Sequence, residues 1–141
     1  MALPPQKFRE IVFQLLFSRE FAIDEPVEMI AWLMRELKVT KRTMVEANAR
    51  ADLVVERLSE IDEKIATFSK EYSFERISKV EKTILRLALF EILFDPAIPP
   101  KVAMAEAIRM GRKFGSPEGS QFVNGLLDSI FHATAAAGAL A

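Results

Sequence analysis

The chain has 141 residues, a length that fits one domain with a hydrophobic core. Half of its residues are hydrophobic, which excludes disorder over most of the length, and it has no cysteine, which excludes disulfides and thiolate metal sites. Its net charge is −1, so any nucleic-acid site must be a local basic patch. The N-terminus lacks the features of a signal peptide, and a cytoplasmic protein is expected.

A first helix is predicted to begin at Pro5, because proline suits the first helical turn. Its buried stripe has amphipathic spacing and comprises Phe8, Ile11, Val12 and Leu15. At 100° per residue, Phe13 and Phe17 fall on the opposite, polar face. Two aromatic rings there could stack on bases, contact a partner or pack beneath a neighbouring helix, and the pattern alone favours the packing.

Residues 21–26 interrupt this pattern, with Asp24 or Glu25 as the cap of a second helix. A long third helix is predicted to begin at Thr40 or Thr43. The inward side chains of these two helices are predicted to be Ile30, Leu33, Met34, Leu37, Val54, Leu58, Ile61, Ile65 and Phe68. Three amphipathic helices in succession predict a small antiparallel bundle.

The stretch Ser78–Phe94 is predicted to be the central buried helix of the protein. Ser78 and Glu81 have the spacing of a capping box, which marks the start of a helix. From Ile84 onward the segment is apolar on nearly every side, so this helix is expected to be buried among others.

Two more helices are predicted after the proline-rich segment 95–100, one at Lys101–Phe114 and one capped by Ser120. Gly111 and Gly125 predict close approaches between helices, because glycine has no side chain. No segment alternates apolar and polar residues as a strand does. The expected fold class is therefore all-α.

The sequence lacks the motifs of common enzymes, among them a glycine-rich phosphate loop, a zinc-protease motif and a serine-hydrolase motif. Its single histidine, His132, lies near the C-terminus, where it is expected to complement a helix end. Glu60 and Glu63 lie on a helix surface beside cations. We therefore expect no enzymatic activity, no metal site and no cofactor.

A compact basic group ends the helix before the last one and comprises Arg109, Arg112 and Lys113. The segment GSPEG at Gly115–Gly119, predicted to be a turn, follows it, and Phe122 is then expected in the first turn of the last helix. Cations beside an accessible ring are typical of single-stranded RNA sites, since the charge follows the phosphates and the ring stacks on a base. The alternative, which spacing alone favours, is that the cations complement the helix C-terminus while Phe122 fills the core.

Three segments resemble the NusB family of transcription antitermination factors. The C-terminal motif of the family is similar to KFGSPEGSQFVNGLLDSI at Lys113–Ile130, its central helix to VEKTILRLALFEI at Val80–Ile92, and its first helix to REIVFQLLF at Arg9–Phe17. The resemblance extends over nearly the whole chain. It implies a single NusB-like domain over residues 1–141, with about six to seven helices in two packed helical subdomains. These subdomains are expected at about 5–69 and 73–134, with a flexible tail at about 135–141.

The resemblance also implies a non-catalytic function. Members of the family bind the ribosomal protein NusE, and the pair binds boxA RNA and loads an antitermination complex onto RNA polymerase at ribosomal RNA operons. Glu81, with neighbouring Glu75, is expected to contact NusE. The residues expected to bind RNA, by position or as part of the basic group, are Lys7, Arg9, Gln14, Phe17, Arg112, Lys113, Glu118, Gln121 and Phe122.

This sequence departs from the family at several of these positions. The family's first helix is often rich in arginine, whereas this one offers Lys7 and Arg9, and Gln121 stands where a cation is common. Phe17 stands in place of tyrosine, which keeps the stacking surface, and Ala105 in place of asparagine removes a side-chain hydrogen bond. Because fewer phosphate contacts lower affinity, we expect weak intrinsic RNA binding, with NusE supplying much of the charge.

Two functions therefore compete. One is an antitermination factor that binds boxA RNA with NusE, and the other is a NusB-like interaction scaffold with little RNA affinity of its own. The sequence leaves the oligomeric state open, because a homodimer could hide Phe13, Phe17 and the basic patch.

Overall fold

The computed structural model describes residues 3–20 and 26–138. Within them the chain forms seven α-helices and one short 3₁₀ turn, Phe74–Arg76, and no strand. The all-α prediction is confirmed. The helices are α1 Pro5–Arg19, α2 Pro26–Leu37, α3 Lys41–Glu56, α4 Leu58–Phe68, α5 Lys79–Phe94, α6 Pro100–Phe114 and α7 Pro117–Ala136.

By its internal contacts the chain divides into two compact units, Met1–Val55 and Glu56–Ala141. The first holds α1, α2 and nearly all of α3, and the second holds α4 to α7. By contacts α4 therefore groups with the C-terminal helices, whereas the sequence-based division near residues 69–73 groups it with the first three.

In the first unit, α1 and α3 both contribute buried side chains. Those of α3 recur at helical spacing and are Met44, Ala47, Ala51 and Val54. The guanidinium of Arg19, in the last turn of α1, donates to Asn48 at 2.7 Å and pairs with Asp52 at 2.9 Å, which joins α1 to α3.

The second helix begins at Pro26, as predicted. Its predicted caps, Asp24 and Glu25, lie outside the described residues, as do the side chains of Ile30 and Leu33.

The predicted long third helix is two helices, α3 and α4, separated at Arg57, whose φ of −103° and ψ of 9° are not helical. The apolar spacing continues across this point, with Val54 and Ile61 both buried, and no proline or glycine marks it. Periodicity alone could not reveal the break, because the two helices contribute their stripes to different units.

Helix α5, the predicted central helix, contacts α4, α6 and α7, which are the other helices of the second unit. Its largest fully buried side chains are Ile84, Leu85, Leu87 and Leu89. The predicted Ser78 cap is confirmed: its hydroxyl oxygen accepts from the Glu81 N–H at 3.2 Å, and the Glu81 carboxylate reaches back to the Ser78 hydroxyl.

Two contacts attach α4 and the 3₁₀ turn to α5. The Arg86 guanidinium binds the Asp62 carboxylate with two hydrogen bonds of 2.9 Å, and both side chains are largely buried. The Phe74 ring lies beneath the ammonium of Lys82, 4.2 Å from the ring centroid. The connection between α4 and α5 is thereby held against the central helix.

The last helix begins earlier than predicted, at Pro117, with Ser116 as its cap accepting from the Gly119 N–H at 3.0 Å. The prediction that Ser120 caps this helix is wrong: Ser120 is buried within it and donates to the Ile108 carbonyl at 3.2 Å. Proline suits the first turn and serine the cap, so the segment GSPEG starts a helix where it was expected to form only a turn.

The two glycines that were predicted at close approaches differ. A Cβ on Gly111 would lie 3.2 Å from the Cα of Ser120, so the predicted close approach of α6 and α7 is confirmed there. A Cβ on Gly125 would meet no atom within 4 Å, so the same prediction is wrong for Gly125.

Helix α7 continues to Ala136, into the tail that was expected to be flexible from about residue 135, and residues 139–141 lie outside the described part. Among the described helices, none is both long and apolar enough to cross a membrane.

Candidate nucleic-acid interface

The predicted RNA-facing residues of α1 differ in exposure. Lys7 is exposed, whereas Arg9, Gln14 and Phe17 are half-buried. Phe13 is only 2% exposed, so it packs inside the protein, which is the reading that the helical pattern favoured. Its ring stacks on that of Phe17 with centroids 5.9 Å apart and planes 12° from parallel. The buried ring of Phe13 thus packs against the half-buried ring of Phe17.

The basic group at the end of α6 is divided by its contacts. The Arg109 guanidinium binds the buried Glu106 carboxylate one turn earlier, at 2.8 and 3.3 Å. Arg112 and Lys113 are exposed, and the Lys113 ammonium lies 5.6 Å from the centroid of the Phe114 ring. Arg109 is thus engaged within its own helix, while Arg112 and Lys113 present their charge at the surface.

A groove of about 890 Å³ lies in the second unit between α7 and the connection from α4 to α5. It brings together four of the residues predicted from the resemblance: Glu81, Glu118, Gln121 and Phe122. In the chain, Glu81 is separated from the other three by the rest of α5 and by the whole of α6. The packing of α5 against α7 therefore brings them together.

The aromatic wall of this groove is a pair of rings. Tyr72 and Phe122 meet edge to face, with centroids 5.3 Å apart and planes at 78°. Tyr72 is 47% exposed and Phe122 is half-buried. The alternative prediction that Phe122 fills the core is therefore only partly met, because the residue keeps some accessible surface. Phe122 lies in the second turn of α7, not in the first as expected, because the helix starts at Pro117.

Sequence reasoning missed several lining residues, notably Tyr72, Arg76 and Gly125. The sequence offered one signal for Tyr72: it is the only tyrosine of the chain, and it lies in a polar connection. Nothing in the spacing shows that this connection folds beside Phe122, since the two residues are far apart in the chain.

The two predicted contacts for a protein partner occupy different settings. Glu75 is exposed in the 3₁₀ turn and lies outside the lining of the groove. Glu81 lines it, with its carboxylate carbon 3.0 Å from the position a Cβ would take on Gly119. The first turns of α5 and α7 therefore meet at Glu81, whose backbone N–H also donates to the Ser78 cap of α5.

The groove mixes charges: Lys70 and Arg76 line it together with Glu71, Glu81 and Glu118. Gln121 and Ser129 add an amide and a hydroxyl. Such a surface can stack a planar ring and satisfy hydrogen bonds around its edge. Among residues 3–20 and 26–138, no group of three or more histidine or acidic side chains is placed to hold a metal ion.

Comparison with known proteins agrees with this architecture. The model of the NusB family matches residues 6–132. The transcription antitermination protein NusB of Geobacter sp. (strain M21) is 35% identical over 130 residues, which cover 86% of this chain and 90% of that protein.

Solved structures are similar over nearly the full length. The structure of T. maritima NusB has a TM-score of 0.79 and 35% identity, and the match covers 94% of this chain and 93% of that one. A structure of the antitermination factors NusB and NusE in complex with dsRNA has a TM-score of 0.76 and 25% identity, covering 91% and 96%. The chain therefore belongs to the NusB family.

Proposed function

We propose that this protein is a transcription antitermination factor that binds boxA RNA together with the ribosomal protein NusE. In this function it joins the antitermination complex on RNA polymerase and supports transcription of ribosomal RNA operons. The observation that carries the proposal is the similarity, over 91% of this chain, to a NusB solved with NusE and RNA. The protein acts by binding, without catalysis or a cofactor, in the cytoplasm.

Residues of each unit are proposed to contact RNA. In the first unit, Lys7 and Arg9 contact phosphates, Gln14 donates hydrogen bonds, and the ring of Phe17 stacks on a base. In the second unit, the contacts come from Arg112, Lys113, Glu118, Gln121 and Phe122. The exposure of Lys7, Arg112 and Lys113 and the accessible part of Phe122 support this assignment.

The proposed NusE contact uses the carboxylates of Glu75 and Glu81. An RNA-binding ribosomal protein carries many cations, and carboxylates that face them favour and orient the encounter. The exposure of Glu75 and the position of Glu81 beside the first turn of α7 support this contact.

A second candidate is a scaffold that binds NusE but has little RNA affinity of its own. The charge around the groove favours it, because Glu71, Glu81 and Glu118 oppose the two cations that also line it. Carboxylates near a phosphate chain reduce the electrostatic part of the affinity.

The two candidates are separated by fluorescence-anisotropy titration of boxA RNA and a scrambled RNA. Each RNA is titrated with and without the cognate NusE at two salt concentrations. Antitermination function predicts preferential binding of boxA RNA that strengthens with NusE and weakens in Arg9→Ala and Phe122→Ala. Equal or absent binding of both RNAs, despite a stable complex with NusE, would establish the scaffold.

A further inference from the structure

Gly125 has no structural reason to be glycine. It lies in the interior of α7, where glycine destabilises a helix relative to alanine. Its φ is not in the left-handed region, and a Cβ there would meet no atom of the described protein within 4 Å. Gly125 does line the groove, one turn after Phe122 on the same face of α7. The missing side chain therefore leaves open space in the groove itself.

The rings beside this space have free surface for a further ring. In an edge-to-face pair, one ring directs its edge at the other, so both of its own faces stay clear of that partner. Tyr72 and Phe122 form such a pair at 5.3 Å, and 47% of Tyr72 is exposed. A planar group can thus stack on the pair while its edge extends over Gly125.

The side chains around this space can contact both parts of a nucleotide, the phosphate and the edge of the base. Lys70 and Arg76 are exposed cations for a phosphate, and Gln121 and Ser129 offer hydrogen bonds to the edge of a base. Glu118 can accept from an exocyclic amine. The lining of the groove also includes Gln121 and Phe122, which are already among the proposed RNA-binding residues.

We propose that this groove binds one unstacked nucleobase of the RNA, stacked on Tyr72 and Phe122, and that Gly125 is glycine to leave room for it. The inference rests on the proposed function and deepens it, since it adds Tyr72 and Gly125 to the RNA-binding residues. It identifies single-stranded or splayed RNA as the form that the groove accepts.

The first test uses Gly125→Ala and Gly125→Leu, with Ala133→Leu as the control. Ala133 is exposed on the same helix and does not line the groove. Gly125→Ala is expected to raise the midpoint of thermal unfolding while weakening boxA binding severalfold, and Gly125→Leu to weaken it further. Ala133→Leu is expected to leave RNA binding unchanged. A rise in stability together with a loss of binding separates steric blocking of the groove from damage to the fold.

The second test locates the base. Each base of the boxA RNA is replaced in turn by the fluorescent analogue 2-aminopurine, whose emission is quenched by stacking. One position is expected to respond when protein is added. Tyr72→Phe should retain that response, whereas Tyr72→Ala should abolish it and lower affinity roughly 5- to 150-fold, the range for loss of a base–aromatic stack.

The outcomes that overturn the inference are distinct from those that overturn the proposed function. If wild-type protein with NusE shows no preference for boxA RNA, both fail. If the wild-type protein prefers boxA RNA but the Gly125 variants and Tyr72→Ala bind boxA RNA with the wild-type affinity, only the groove inference fails. If these variants instead lose binding to NusE while keeping RNA affinity, the groove holds a protein segment and the inference is wrong.

Discussion

Glycine residues in helices report on different constraints at different positions. At Gly111 a Cβ would approach the backbone of Ser120 at 3.2 Å and its Oγ at the same distance, and the Ser120 hydroxyl is already bonded to the Ile108 carbonyl. Backbone atoms of a packed helix can move only at a cost in packing energy. The absence of a side chain at Gly111 therefore allows α6 and α7 to stay in close contact. Gly125 has no such neighbour.

Gly111→Ala is therefore expected to destabilise the protein by about 1–2 kcal/mol, since overpacking outweighs the gain in helix propensity. Gly125→Ala, the matched control, is expected to stabilise it by up to about 1 kcal/mol. Urea unfolding followed by circular dichroism measures both. An equal gain in the two variants would show that α6 and α7 can separate without cost.

The ion pair between Arg86 and Asp62 is the second residue-scale determinant. Arg86→Ala leaves the largely buried Asp62 carboxylate without these two hydrogen bonds. We expect the free energy of unfolding to fall by about 2–3 kcal/mol. This is less than for a fully buried pair, because the Asp62 side chain is partly exposed to solvent. Arg42→Ala, which breaks an exposed pair with Glu46, is the control and should cost less than about 1 kcal/mol. Equal effects in urea unfolding would contradict this prediction.

At the scale of elements, the start of α5 depends on one side chain. Ser78 caps the helix that all other helices of the second unit contact. Ser78→Ala removes the acceptor of the Glu81 N–H and should destabilise the protein by about 1 kcal/mol. Ser59→Ala, at an exposed position inside α4, should change stability by less than about 0.5 kcal/mol. A shift in the urea midpoint that is no larger for Ser78→Ala than for Ser59→Ala would refute the cap.

The caps also show how far elements follow from sequence. The Ser78 cap was predicted because a serine with glutamate three residues later precedes an apolar run. The start of α7 was misplaced by four residues, since Ser116 and Ser120 are both acceptable caps locally. Burial of Ser120 against α6 decides between them, and local sequence carries no information on that burial.

At the scale of the whole molecule, the near-neutral charge limits the electrostatic part of RNA binding. If the proposed cations Lys7, Arg9, Arg112 and Lys113 each contact a phosphate, the slope of log affinity against log salt is at most about −3. A titration of boxA RNA over a salt series measures this slope. A much steeper slope would reveal phosphate contacts from other residues.

Gln121→Lys is expected to increase boxA affinity severalfold at low salt and to steepen the slope by about 0.7, since it adds one cation at the groove. Ala133→Lys adds the same charge to α7 outside the groove lining and should change both quantities little. Equal effects of the two lysines on affinity and slope would indicate a diffuse electrostatic contribution and no contact at position 121.

The sequence by itself determined the all-α class, the central position of α5 and the family, because helical periodicity, capping pairs and motif spacing are local properties. Tertiary structure alone decided that Phe13 is buried, that Arg57 separates two helices and that Tyr72 faces Phe122. These facts depend on which helix covers each face, and residues distant in the chain decide that. The proposed RNA-binding residues near Phe122 could be named from resemblance, but the groove they share exists only through the packing of α4, α5 and α7.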